Sequence, residues 1–254
     1  MTKTQGIHPG DAVDDPGHLI RRFKETGERR YLHELYGREQ YHSVYAAPRP
    51  KWTRKFSLLI HMMDLKHGQR VLDVGCASQM LRPAVEAAGA IYKGLDISPR
   101  FSPDYVADAE TMEGVEEEFD WVVFSDILEH LPDPDRAVRR AHQVAHHMLA
   151  VVPNWYRLER FHFLPRSPGD RHIIHRSPRE WVGCCQQAGW HVEQERGFFY
   201  VPSIAFYPLF PLRVADKLFA TTPFIWINDT LWQRWDCGLL SHMGQELIIK
   251  GKRA

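Results

Sequence analysis

The chain has 254 residues, 44% of them hydrophobic, enough for one α/β domain with additions and a full buried core. Lys+Arg 32 balances Asp+Glu 32, so there is no global basic field to recruit nucleic acid by counterion release, and a polynucleotide partner is not expected. Four cysteines, Cys76, Cys184, Cys185 and Cys237, form neither a C-x-x-C pair nor a zinc spacing and read as reduced thiols of a cytoplasmic protein.

Residues 1–15 are polar, lack the apolar core of a signal peptide and read as a disordered tail. From His18 to Gly37, Leu19, Ile20, Phe23, Tyr31, Leu32, Leu35 and Tyr36 recur at helical spacing, and Gly27 divides two short helices. Lys51 to Leu65 reads as another helix, with Trp52, Phe56, Leu59, Ile60 and Met63 on one side. Strands and helices then alternate. Strands are expected at Arg70–Val74, Ile91–Asp96, Tyr105–Ala107, Trp121–Phe124 and Met148–Val152, and helices near Gln79–Ala88, Thr111–Glu117 and Asp135–Ala145. Such alternation implies a parallel sheet with helices on both faces. Ser177-Pro178-Arg179-Glu180 is a helix start, and that helix ends before Gly189. His191–Glu195 and Gln245–Lys250 read as a closing antiparallel pair. The longest apolar stretch, Phe198 to Leu212, is short for a membrane span and carries Pro202, Pro208 and Pro211, so it reads as buried or interfacial.

Two runs point to a ligand. Val71-Leu72-Asp73-Val74-Gly75-Cys76 is a buried strand breaking into a glycine turn. About twenty residues later Gly94-Leu95-Asp96-Ile97 ends a second strand on a carboxylate, a spacing at which both hydroxyls of a nucleotide ribose can be accepted. The G-x-G-x-x-G of dinucleotide-binding folds is absent. A third run, Phe119 to Pro134, ends a strand in Ser125-Asp126-Ile127-Leu128-Glu129-His130-Leu131-Pro132-Asp133-Pro134. Together these runs resemble the class I, Rossmann-like S-adenosylmethionine-dependent methyltransferases, and the third resembles the small-molecule enzymes of the ubiquinone-biosynthesis-like group. The resemblance covers about Arg70 to Asn154, with a weaker echo, His175-x-Ser177-Pro178-x-Glu180-Trp181 and Ala188-Gly189-Trp190, to about Gly197. The family's Asp-x-Gly-x-Gly-x-Gly loop has Ala77 and Gln79 at its second and third glycines here, whereas Tyr92-Lys93-Gly94-Leu95-Asp96 matches a pattern found among relatives.

The resemblance implies a mostly parallel seven-stranded sheet with helices on both faces, and S-adenosyl-L-methionine as cofactor. It implies that Asp73 holds the methionine ammonium group, that Gly75 lets the backbone approach, and that amides near Ala77 and Ser78 meet the methionine part. Asp96 would accept from the ribose, with capping of Ser98-Pro99 as its competing role. Ile97 would pack on adenine. Asp108 would accept from the adenine amine, with capping as the alternative, and the Ala109 amide would read the ring. Ser125 would lie beside the cofactor. His130 reads either as a general base or as a group orienting its loop, and His175 is the second catalytic candidate. His172, His175 and Asp170 could form a metal site, but no helical H-E-x-x-H is present and no metal is expected.

Three segments follow: 1–66 as tail and helical cap, 67–199 with 243–254 as the cofactor-binding core, and 200–242 as an aromatic insertion holding Tyr207, Phe210, Phe219, Phe224, Trp226, Trp232 and Trp235. The insertion reads as a lid over an apolar acceptor, a face resting on a membrane, or a small core of its own. Tyr31, Tyr36, Tyr41 and Tyr45 would form the opposite wall. The expected reaction is methyl transfer to a small or lipid-linked acceptor, oxygen first and nitrogen or carbon behind it. The competing classes are a non-catalytic cofactor-binding scaffold, motivated by the replaced loop glycines, and a nucleic-acid methyltransferase, for which charge and motif are wrong. Val152-Pro153-Asn154-Trp155 is not the Asn/Asp-Pro-Pro-Tyr/Phe of amino-methylating enzymes.

Overall fold

A computed structural model describes residues 16–37, 50–154, 172–198 and 246–253. Strands β1 (Arg70–Val74), β2 (Ile91–Asp96), β3 (Tyr105–Val106), β4 (Phe119–Ser125), β5 (Ala145–Pro153), β6 (Trp190–Phe198) and β7 (Glu246–Arg253) form one sheet in the order β3-β2-β1-β4-β5-β7-β6. The first five run parallel, and β7 is antiparallel to β5 and β6. The expected fold and the antiparallel closing pair are both present.

Side chains alternate across β1. Leu72 and Val74 pack with Val122, Phe124, Met148 and Ala150 against one helical layer, and Val71 packs with Trp121, Val123, Leu149 and Val151 against the other. Each fully buried aliphatic side chain is worth about 1.5–3 kcal/mol, so a strand read as continuous apolar sequence is fixed from both faces. The described helices are α1 (Pro16–Thr26), α2 (Arg30–Gly37), α3 (Pro50–Met63), α4 (Arg82–Ala87), α5 (Pro134–Val144) and α6 (Pro178–Gln187). Helix α5 starts on Asp133, whose side chain accepts from the Arg136 amide, and buries Ala137, Val138, Ala141 and Val144. Helix α6 starts on the expected capping box of Ser177 and Glu180. Helices α1 and α2 share a small core of Leu19, Ile20 and Leu35 with Tyr31 packed on it.

Two expected helices differ. Residues Thr111 to Glu117 form turns, not a helix: Met112 (φ 46°) and Gly114 (φ 80°) are both left-handed, while Met112 and Val115 plug the core from an irregular backbone. The helix expected from Gln79 begins at Arg82, because Ala77 (φ 43°) and Gln79 (φ 57°) are left-handed too. Cys76, Cys184 and Cys185 are buried and unbridged. Among the described residues no helix is long and apolar enough to cross a membrane. The 200–242 insertion, Tyr41, Tyr45, Asp170, Cys237 and residues 1–15 lie outside the described residues.

Candidate functional site

Strand β1 lies between β2 and β4, with Val74 opposite Leu95 on one side and Phe124 on the other. The loops leaving these three strands therefore open together at the point where strand order reverses, the usual ligand position in such sheets. One cavity lies there. Asp73, Gly75, Ala77, Asp96, Ile97, Asp108, Ala109 and Ser125, the residues expected to hold the cofactor, all line it, and so does His130.

The loop after β1 keeps a glycine-like path without its glycines. Gly75 has φ +75°, and a Cβ there would stand 2.8 Å from the Ile127 side chain, so what demands glycine is the close approach of the loop after β4. Ala77 and Gln79 hold left-handed backbone at a cost of about 1–2 kcal/mol each. Side chains offset it: Asp96 accepts from the Ala77 amide at 2.9 Å, Gln79 donates to the Phe101 carbonyl at 2.7 Å, and Arg82 donates to Gln79 at 2.7 Å. Ala77 therefore offers a loop amide already taken by Asp96, not a helix N-terminus. The replaced glycines, which motivated a scaffold reading, leave the loop's conformation in place.

The Tyr-x-Gly-x-Asp run now has a physical reason at each position. The Tyr92 hydroxyl donates to Asp73 at 2.7 Å. A Cβ at Gly94 would meet Cys76 Sγ at 2.8 Å. Asp96 accepts the Ala77 amide on one oxygen and the Ser98 amide, at 2.8 Å, on the other. It thus caps the next turn as well as lining the cavity, and each carboxylate oxygen has a second lone pair. Asp73 is buried, and burial lifts its carboxyl to about 7 against the pull of the Tyr92 hydroxyl, with Asp96 adding to the rise. Among the described residues no Lys or Arg bonds to it. Its chemistry fits a ligand that brings its own cation.

Asp108 also has both roles: its side chain accepts the Glu110 amide at 2.8 Å, closing a turn, while it lines the cavity. Arg29, from the turn before α2, donates to Asp108 at 2.7 Å and also to the buried carboxylate of Glu110.

On the far side Trp52 and Phe56 of α3 line the cavity with Asp126, Ile127 and His130. Lys55 of α3 is 1% exposed and pairs with Asp126, which has φ 56°, and with Glu246 at 3.4 Å. Burial alone would lower the Lys55 ammonium, but Asp126 and Glu246 outweigh it and hold the group above its ordinary range. Glu129 is buried with one oxygen unpartnered, and burial together with Asp126 pushes its carboxyl well up. Its backbone carbonyl accepts from Ile173 and Ile174 at 2.9 and 3.0 Å, tying the turn after β4 to the segment before α6. The rings of His130 and His172 lie 4.9 Å apart, and ligand atoms of Glu129, His130 and His172 fall within 4.8 Å of one another, a spacing able to hold a metal ion. This set shares only His172 with the one considered from sequence. His175 stands one ring further out, 6.3 Å from His172, and does not line the cavity.

The sequence reading missed Arg29, Lys55 and Glu110. Arg29 carries no local signal. Lys55 does: it falls three, four and seven residues before Leu58, Leu59 and Met62, on the buried face of α3.

A model of the methyltransferase-domain family matches residues 42–195. The chain belongs to the class I methyltransferase family. Its methyl donor is S-adenosylmethionine, in keeping with the donor set lining the cavity. A ubiquinone biosynthesis O-methyltransferase from Ralstonia nicotianae is 32% identical over 187 residues, covering 61% of this chain and 76% of that protein. The protein of the same name from Aromatoleum aromaticum is 30% identical over 173 residues, covering 56% and 72%. Among solved structures, an S-adenosylmethionine-dependent methyltransferase from Archaeoglobus fulgidus superposes with a TM-score of 0.52 at 18% identity, over 80% of this chain and 94% of that one. The likeness to a Mesorhizobium loti methyltransferase, TM-score 0.50 and 18% identity over 77% and 96%, shows the same fold.

Proposed function

We propose that this methyltransferase moves a methyl group to a hydroxyl oxygen of a small or lipid-linked acceptor, and that the cavity at the β1–β4 switch binds the donor at one end and the acceptor at the other. The observation that carries the reading is the convergence of three carboxylates, Asp73, Asp96 and Asp108, on one cavity that also meets His130, Trp52 and Phe56. Asp96 accepts from the ribose hydroxyls, a charge-assisted contact. Asp73 takes the ammonium group. Asp108 and the Ala109 amide read the adenine edge, Ile97 covers its face, and Gly75, Ala77 and Ser125 complete the wall. Bound S-adenosylmethionine supplies an already activated methyl group, so the chain's task is positioning and exclusion of water. Trp52 and Phe56 supply an apolar wall for the acceptor. His130 takes the hydroxyl proton at a ring nitrogen or orders the loop, with His175 behind it in second place.

Oxygen as acceptor atom is supported by the O-methyltransferase names of the relatives. They also direct the acceptor screen to hydroxylated aromatic rings with and without an apolar tail. Residues 200–242 supply the acceptor lid or a peripheral membrane contact in this reading, supported by their aromatic sequence. Residues 1–66 supply an N-terminal tail and the helical cap in this reading, and nucleic acid is not a partner. Titration calorimetry with S-adenosylmethionine and S-adenosylhomocysteine tests the donor half, and turnover of labelled donor against the hydroxyarene panel tests the acceptor half. Binding of both cofactor forms with methyl transfer only to nitrogen or carbon acceptors would discard O-methylation. Absence of binding would discard the site.

A further inference from the structure

Arg29 belongs to no motif, yet it reaches the cavity from the N-terminal helices. It stands immediately before α2, its carbonyl accepting the Leu32 amide at 3.0 Å, and both Arg29 and Leu32 line the cavity. Its guanidinium forks. One terminal nitrogen donates to Asp108 at 2.7 Å, and the other donates to Glu110, whose side chain is fully buried. The second Glu110 oxygen accepts the Asp133 amide at 2.8 Å. The second Asp108 oxygen accepts the Glu110 amide. Both carboxylates are thus held from two directions, and the planar fork joining them is a geometry that a lysine cannot reproduce.

We propose that Arg29 is a positioning residue for purine recognition: by fixing the orientation of the Asp108 carboxylate, it keeps accepting oxygens on the ring edge and makes the cavity select a ring bearing an exocyclic amine over one bearing a carbonyl at the same place. The inference rests on the reading of Asp108 as the adenine acceptor. A carboxylate faces an amine with a donor to accept, but faces a carbonyl with two acceptors opposed, and a site built to accept from N–H rejects the analogue lacking it. Without Arg29, the carboxylates at 108 and 110 repel each other across two residues. Asp108 is then free to turn, and its accepting oxygens no longer face the amine of the ring edge.

The test is a discrimination ratio, which a merely structural tie between α2 and the core would leave alone. Calorimetry with S-adenosylhomocysteine and S-inosylhomocysteine, in which the exocyclic amine becomes a carbonyl and the adjacent ring nitrogen gains a proton, should give the wild-type protein a preference of about 10- to 100-fold for the adenine form. Arg29→Met should reduce that ratio at least about fivefold, and Arg29→Lys, which keeps a positive charge opposite buried Glu110 and decides the matter should Arg29→Met not fold, should do the same. A folded Arg29→Lys protein whose ratio falls by less, including one that binds both analogues equally more weakly, overturns the proposal. Asp108→Asn separates the two layers. A ratio lowered by Asp108→Asn but not by Arg29→Lys removes only the positioning role, whereas a ratio that Asp108→Asn leaves intact removes the adenine reading of Asp108 and this inference with it.

Discussion

Burial pushes the Asp73 carboxyl up to about 7 against the pull of the Tyr92 hydroxyl, so a sizeable fraction of it is protonated near neutrality in the free protein. Holding an ammonium group requires the ionised form. Donor affinity should therefore rise with pH through about 7 and fall on acidification with a slope approaching one proton, and Asp73→Asn should bind more weakly and flatten that dependence; calorimetry from pH 6 to 8 in buffers of differing ionisation heat reads it, using ordinary linkage. The sign for stability is opposite. The folded carboxyl binds its proton more tightly than the unfolded one, so this residue makes the free protein less stable as pH rises from about 4 to about 7. For Asp96, loss of a charge-assisted contact predicts that Asp96→Ala weakens donor binding by about 2–3 kcal/mol, roughly 30- to 150-fold. Asp96→Asn should lose less, because its amide oxygen still accepts the Ala77 or Ser98 amide; equal affinity of Asp96→Ala and wild type would remove the ribose assignment. His130→Ala should lower kcat by about 10²–10⁴-fold if the imidazole takes the acceptor proton, with donor affinity nearly unchanged and the acid limb of the pH–rate profile gone. A small kcat effect leaves the loop-ordering role alone.

At the scale of elements, α3 is docked by a charge as well as by its apolar face. Lys55 sits among Leu58, Leu59 and Met62 on the buried side and joins the helix to Asp126 after β4 and Glu246 at the start of β7. Removing one partner of a buried ion pair leaves the others uncompensated, so Lys55→Met should lower stability by about 3–5 kcal/mol by denaturant unfolding at neutral pH. Below the carboxylate range Asp126 and Glu246 become neutral, and the difference between mutant and wild type should shrink. A mutant as stable as wild type would show that apolar packing alone docks α3. The helix expected at Thr111–Glu117 shows the converse limit. Its apolar residues, Met112 and Val115, have helical spacing, but tertiary burial of both is satisfied by a turn with two left-handed residues. A short segment of weak propensity follows the packing of its neighbours, not its own periodicity.

At the scale of the molecule, the cavity is shared by loops from three strands and the α1–α2 pair, which otherwise keeps a small core of its own. Saturating S-adenosylhomocysteine, at about 100 times its Kd, should stabilise the fold by ~2.7 kcal/mol. It should slow amide exchange in residues 16–37 and in the loops after β1, β2 and β4, while leaving β5, β6 and β7 nearly unchanged. Protection confined to the loops would mean that the helical pair does not close on the donor. Legible in the sequence alone were the sheet, its closing antiparallel pair, the α6 capping box and the carboxylates that line the cavity. Each of these is written in local chemistry: an unbroken apolar strand, a residue tolerating positive φ, a cap, or a carboxylate at a strand's end. The three-dimensional fold alone set the contacts between residues far apart in the chain, Arg29 with Asp108 and Glu110, Lys55 with Asp126 and Glu246, and Tyr92 with Asp73. It also decided that Ala77 and Gln79 follow a glycine's path. The reason is that a long charged side chain carries no periodic signature of its partner, and a strained backbone is stable only when neighbours brought in by the whole fold hold it there.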